Sequence, residues 1–217
     1  MESPADLDRV LGVRDVVVVE GPDAQTYLHS QLSQDLTGIE VGEQRWTFVL
    51  EPTGKVESLA RITRVADERF ELDTDVGFGD ALLARINRFK IRVAADTSVG
   101  EQRGDPADEE VRVEVGWPRL GAEITPGETI PAGTGVTSLA VSFTKGCYPG
   151  QELVERMDSR AADAPRSIRR LTVGEGAAPG DPIRDGGDEV GVLTSVAGGR
   201  ALGWVKRTSD VGDVVQF

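Results

Sequence analysis

Apolar residues fall into two recurring arrangements, β-branched runs and spacings of four. Val16-Val17-Val18-Val19, bounded by Asp15 and by Glu20-Gly21-Pro22, predicts a buried strand stopped by a turn. Over residues 23–36, Ala24, Leu28, Leu32 and Leu36 recur every fourth position, which predicts a helix with one packed face. His29 then belongs on the helix surface. Residues 45–50 and 56–65 read as strands joined by Glu51-Pro52-Thr53-Gly54-Lys55, a segment with hairpin-turn chemistry. Residues 70–73 alternate as a short strand, and residues 80–89 place Leu82, Leu83, Ile86 and Phe89 on one helical face. Residues 91–93 resume an extended pattern. This order predicts an α+β fold, a mixed sheet with helices packed on one side.

The stretch 97–110 is polar, with Gly100, Gly104 and Pro106, and reads as a loop. Val111-Arg112-Val113-Glu114-Val115 alternates strictly, which predicts a strand with Arg112 and Glu114 on one face. Residues 116–135 are rich in Gly and Pro and lead into an apolar strand over 136–143. After Gly146-Cys147-Tyr148-Pro149-Gly150, the residues Gln151-Glu152-Leu153-Val154-Glu155-Arg156 read as a helix, with Pro149 just ahead of its start. Beyond Ala161-Ala162-Asp163-Ala164-Pro165 the pattern becomes short strands at 168–173, 190–196, 201–205 and 214–217. Gly186-Gly187 and Gly198-Gly199 are hairpin turns and not phosphate loops, because neither continues into a helix. The chain divides into residues 1–165 and a small all-β barrel or sandwich over 166–217, docked on the first part.

Composition narrows the function. A 217-residue chain that is 39% hydrophobic builds a proper core, and 24 basic against 37 acidic residues leave a net charge of -13. That field repels nucleic acid and anionic membranes; the densest basic cluster is Arg166-Ser167-Ile168-Arg169-Arg170. Cys147 is the single cysteine, so no internal disulfide forms, which fits a reducing compartment. The start Met1-Glu2-Ser3-Pro4-Ala5-Asp6 has no apolar core of a leader, and a soluble cytoplasmic protein is expected. A lone histidine without soft ligands gives no metal site. Trp46, Trp117 and Trp204 are expected in the core. Near a helix start and beside Lys145, Cys147 is a candidate reactive thiolate. The alternative is a buried cysteine acting as a small hydrophobe, and the local sequence leaves both open.

Lys145-Gly146-Cys147-Tyr148-Pro149-Gly150-Gln151-Glu152 resembles the signature of the YgfZ family of folate-binding proteins, relatives of the T-protein of the glycine cleavage system. Gly21-Pro22-Asp23-Ala24 resembles the opening of that family's first helix, and Pro52-Thr53-Gly54-Lys55 its Gly-Lys hairpin. Arg112-Val113-Glu114-Val115-Gly116-Trp117-Pro118, with Gly121 and Glu123, resembles its Arg-hydrophobic-Glu-x-Gly strand, and residues 191–195 together with Ala201-Leu202-Gly203-Trp204-Val205-Lys206 resemble its C-terminal barrel. The resemblance implies a tetrahydrofolate-binding fold with a central channel. It also implies a role in assembly or maintenance of iron-sulfur proteins, with a link to tRNA modification through iron-sulfur enzymes.

Carried over by position, Cys147 and Lys145 are the reactive groups. Arg112, Glu114, Tyr148, Gln151, Glu152, Arg156 and Arg169 are the folate-binding residues, with Arg170 as the alternative cation. Carboxylates accept from pterin N-H groups and arginines hold the glutamate tail. The implied partners are iron-sulfur proteins or assembly factors, with no direct nucleic acid and no membrane, for a monomer or weak dimer. Two alternatives stand beside this reading. One is a tetrahydrofolate-dependent aminomethyltransferase or demethylase, disfavoured because Glu57-Ser58 stands where the T-protein has paired aspartates. The other is a non-catalytic interaction module, since residues 97–110 are shorter than the family's central region.

Overall fold

The computed structural model describes residues 9–159 and 164–217. The acidic Met1-to-Asp6 stretch and Ala161-Ala162-Asp163 at the expected domain boundary lie outside the described residues. A first sheet comprises β1 (Arg14–Glu20), β2 (Gln44–Leu50), β3 (Val56–Ala66), β4 (Arg69–Asp75) and β5 (Asp96–Val99), in the order β2-β3-β4-β1-β5. Every pairing in it is antiparallel, so the expected mixed sheet is corrected. The reason is topological: tight turns join β2, β3 and β4, while α1 (Ala24–Gln31) and α2 (Gly79–Asn87) link strands that are not neighbours.

Both helices cover one face of this sheet, where Leu28, Leu82 and Ile86 pack on Val17, Val19, Ile62 and Leu72. Helix α1 stops five residues before the apolar spacing does. Leu32 turns extended and bridges Val49, and the Ser33 amide donates to the Phe48 carbonyl at 3.1 Å. Leu32 and Leu36 are nevertheless fully buried, because the loop folds back over the same core. Helix α2 ends at Asn87, so Phe89 stands outside it and Ile91 is 77% exposed. Residues 91–93 form no strand. The strand is β5, which overlaps the start of the stretch read as a polar loop; its Asp-Thr-Ser-Val sequence pairs at the sheet edge with β1 alone and buries no apolar run.

The other face carries a second core that includes Phe48, Leu50, Leu59, Trp117, Tyr148 and Val154. Here the expected strand at 111–115 is helix α3 (Glu109–Val115). Capping overrides alternation: the Asp108 side chain accepts from the Val111 amide, two glutamates occupy the first turn, and Gly116 ends the helix at φ 91°. Val113 is fully buried and Val111 and Val115 are half-buried, a division that short alternation also produces in a helix lying between two cores. The strand expected at 136–143 is the single turn α4 (Thr137–Ala140) followed by a loop. Helix α5 (Gln151–Ser159) forms where Pro149 signalled it.

The C-terminal region is β6 (Arg166–Thr172), β7 (Pro182–Asp185), β8 (Asp188–Ala197), β9 (Arg200–Lys206) and β10 (Asp213–Val214). Their order is β10-β6-β9-β8-β7, an open antiparallel sheet. The expected barrel is corrected, since the two-residue β10 and the four-residue β7 stay at opposite edges among the described strands. Gly186-Gly187 and Gly198-Gly199 turn the hairpins with positive φ, as their sequence required. The sheet is welded to the first region through Val113, Ile168, Leu202 and Val215. Trp117 is buried and packs between Trp46, tilted at 4.6 Å, and Phe217, edge-on at 5.3 Å; Trp46 and Trp204 are only half-buried.

Candidate functional site

The loop ahead of α5 is fastened from below by Lys145. Its ammonium reaches the C-terminal end of α1 and donates to the carbonyls of His29, Leu32 (2.6 Å) and Gln34 (3.2 Å). A helix end leaves carbonyls without intrahelical partners, and a cation there satisfies them and opposes the end's partial negative charge. The ammonium also lies 5.1 Å from the Tyr148 ring. Lys145 is thus a buried anchor of the cysteine loop. His29, placed on the surface by its sequence position, is half-buried, and its Nδ1 accepts from the Leu36 amide at 3.2 Å. Burial and the Lys145 charge hold His29 below its usual range.

Burial also lowers Lys145 from 10.5 to about 8, with Asp35 partly opposing the shift. Between those values the unfolded chain binds the proton more tightly than the folded one, so stability attributable to Lys145 rises with pH from about 8 to 10.5. Urea midpoints measured across this window should climb in the wild type relative to Lys145→Met. Parallel profiles would show that the ammonium is not desolvated.

Two turns singled out from sequence meet face to face. Gly54, in the β2–β3 hairpin, has φ +86°, and Gly150 has φ +84°. A Cβ on Gly150 would lie 2.5 Å from the Glu51 carbonyl oxygen and 2.9 Å from the Gly54 Cα, and one on Gly54 would lie 2.4 Å from the Leu153 Cβ. Backbone contact of this closeness admits only glycine. Cys147 is an exposed free thiol on the loop held by this contact and by Lys145. Tyr148 is buried, and burial together with the Glu155 charge pushes its phenol up to about 12. Gln151 donates to Glu155 on the next turn of α5, while Glu152 and Arg156 are exposed.

Beside the hairpin stands a cluster not recognised from sequence. Arg85 is buried and donates through Nε and Nη2 to the Leu50 carbonyl, and Arg88 pairs with Glu51 at 3.1 Å. Burial and the Glu51 carboxylate push the Glu57 carboxyl up from its usual range. No local motif signals this cluster, because its contacts join a hairpin and a helix end 35 and 37 positions apart.

Between α5 and the second sheet lies a cavity of about 960 Å³. Phe143, Leu153, Val154, Met157 and Phe217 form apolar wall, and Arg169 supplies a cation. Arg169 is 7% exposed; its Nη1 donates to the Val211 and Gly212 carbonyls, and its Nε is buried with no partner. Of the residues expected at the site, Arg169 lines this cavity; α5 contributes Leu153, Val154 and Met157 to it, while Lys145, Cys147, Tyr148, Gln151, Glu152 and Arg156 are not on its wall. Arg170 instead donates to the Glu114 carbonyl at 3.3 Å.

Arg112 and Glu114 do not share a face as expected. All five guanidinium N-H groups of Arg112 are taken, by Glu109 twice, Glu123, the Trp117 carbonyl and Ser195. Glu114 points outward and pairs with Arg200 at 3.2 Å. The cause is the helix: neighbours two positions apart lie on different sides of it, whereas in a strand they share one. Among the described residues, no group of three or more metal-ligating side chains occurs, and no helix is long and apolar enough to cross a membrane.

No protein-family model matches the chain. A protein of Haemophilus influenzae described as uncharacterized is 26% identical over 189 residues, covering 68% of this chain and 67% of that protein. The crystal structure of the glycine cleavage system aminomethyltransferase T from Bartonella henselae matches with a TM-score of 0.81, over 95% of this chain and 81% of that one, at 17% identity. The chain therefore has the fold of an aminomethyltransferase T.

Proposed function

We propose that this chain is a folate-binding protein acting in assembly or maintenance of iron-sulfur proteins, and through them in tRNA modification. The observation that carries the binding is the cavity with Arg169. An apolar wall suits a pterin or benzoyl ring, and a buried guanidinium with an unpartnered Nε suits a carboxylate of the glutamate tail. The residues present thus fit reduced folate, which would supply a one-carbon carrier. The fold likeness to an aminomethyltransferase and the cysteine motif support the same reading.

Cys147 is the reactive group in this proposal. A chain with one cysteine does not supply the several thiolates a cluster normally takes, so its thiol suits transient sulfur contact with a client. Held on an anchored, exposed loop, it meets a partner protein without unfolding. The native thiol should be alkylated by iodoacetamide without denaturant; protection in the native state would remove it from this role. In cells lacking the protein, iron-sulfur enzyme activity should be restored by the wild type and not by Cys147→Ala.

Calorimetry with tetrahydrofolate tests the cavity. Arg169→Ala should weaken binding by about tenfold or more, the worth of one hydrogen bond to a charged group at ~1.5–3 kcal/mol. Absence of binding to the wild type overturns the folate assignment.

A tetrahydrofolate-dependent transferase or demethylase is the second reading, favoured by Glu57, whose raised carboxyl beside Gly54 is able to carry a proton. Product formation from a methylamine donor, lost in Glu57→Gln, would select it; binding without turnover selects the first.

A further inference from the structure

We propose that the chain holds a second ligand site, for a small molecule bearing a carboxylate or phosphate, in the arginine-walled cavity between the start of β1 and the loop 103–108. This cavity is about 600 Å³, and Arg9, Arg14, Arg61, Arg103 and Gln44 lie on its wall. Neither the cysteine loop nor the larger cavity contributes to it, so the inference does not depend on folate binding.

The arginines converge because of one carboxylate. Asp73, fully buried on β4, accepts from Arg14 Nε at 3.0 Å, Arg61 Nε at 3.0 Å and Arg103 Nη2 at 2.6 Å. Burial alone would raise Asp73, but the three guanidinium groups outweigh it and hold the carboxyl below its usual range. Arg14 is itself buried and spends Nη1 on Asp75 and Nη2 on the Asp73 carbonyl. Arg103 takes Glu71 at 3.0 Å with Nη1, and its Nε is buried without a partner. Among the described residues, the Arg9 side chain makes one bond, to Asp108 at 2.9 Å, and is otherwise exposed. The carboxylates of Asp73 and Asp75 are not on the wall; Asp105 and Asp108 are, and Asp108 is paired with Arg9.

The wall is built to hold its shape. Arg14 and Arg103 exchange backbone hydrogen bonds at 2.8 and 3.1 Å, and the Asp108 amide donates to the Arg9 carbonyl at 2.8 Å. Gly104, at φ +91°, passes so near Gly12 that a Cβ would stand 2.5 Å from its carbonyl oxygen. Guanidinium groups lining a fixed cavity are a seat for an oxyanion, which supplies acceptors matching a guanidinium edge. Asp105 and Asp108 on the same wall, in a chain of charge -13, favour a small guest of low negative charge over nucleic acid.

The test titrates the full chain with inorganic phosphate and, separately, with succinate, at ionic strength matched by sodium chloride. Tryptophan fluorescence is the readout. Arg14 and Arg61 lie 5.9 and 5.8 Å from the Trp46 ring, so occupancy should change its emission, and Trp46→Phe should abolish that change. Saturation by either probe, weakened about tenfold in Arg9→Gln, supports the site, by the strength of a charge-assisted bond. Arg103→Gln should weaken it similarly; Arg9→Gln, at an exposed position, keeps the test intact where Arg103→Gln disturbs folding. Phosphate alone assigns a phosphate ester and succinate alone a dicarboxylate. Failure of both probes to saturate, or equal saturation of wild type and Arg9→Gln, overturns the proposal.

Discussion

Arg112→Met is expected to lower the unfolding free energy by about 3–5 kcal/mol, the range for removing one partner of a buried ion pair. Arg112 and Glu123 both have 0% side-chain exposure and lie 2.9 Å apart. Without the guanidinium, Glu123 keeps Ser195 and Thr194 as hydrogen-bond donors but loses its buried counter-charge, and the Trp117 carbonyl loses its Nη1 partner. The damage reaches across the chain, because Ser195 is on β8 while Arg112 and Glu123 belong to the first region. Urea unfolding should show the loss. Hydrogen exchange should show β8 and β9 losing protection ahead of β1. Glu123→Leu added to Arg112→Met should recover part of the deficit, since the stranded charge is then gone. A loss below about 1 kcal/mol, the level of an exposed pair, would show that Arg112 does not join the two regions.

The second large effect separates the two glycines of the cysteine motif. Gly150→Ala should cost about 2–5 kcal/mol: a left-handed backbone costs an L-residue roughly 1–2 kcal/mol, and crowding into a packed contact about 1–3 kcal/mol more. The crowded atoms are the Glu51 carbonyl and the Gly54 Cα, backbone that moves only if the hairpin moves. Gly146 has nothing within 4 Å of a built Cβ, so Gly146→Ala should stay within about 0.5 kcal/mol. Chemical denaturation of the pair measures the difference, and Cys147 alkylation reports the loop: Gly150→Ala should change the rate and Gly146→Ala should not. Equal costs would mean that the hairpin does not hold the motif.

Where local rules act alone, the sequence is readable. The valine run of β1, the Pro-Thr-Gly-Lys hairpin, the helix after Pro149 and the double-glycine turns each rest on a few adjacent residues, and each forms as expected. Helix α3 shows a local rule misapplied: Asp108 and Gly116 were present as caps, and alternation over five residues masked them. Arg112 shows a different limit. A charged residue in an alternating run looks like a solvated face; the family resemblance groups Glu123 with the Arg112 segment, but nothing local pairs the two, 11 positions apart, or joins Arg112 to Ser195, 83 positions on.

By itself, then, the sequence determined the α+β class, the position of most strands, the turn glycines and the motif around Cys147. Tertiary structure alone decided that both sheets are antiparallel and open, that Lys145 anchors the loop on α1, and that Gly54 and Gly150 must both be glycine for their turns to touch. It also placed Arg169 in a cavity with α5 and drew arginines from two strands and a loop around Asp73. The physical reason is range: turn and cap preferences act over a few residues, whereas burial, ion pairing and backbone contact depend on segments brought together only when the cores close.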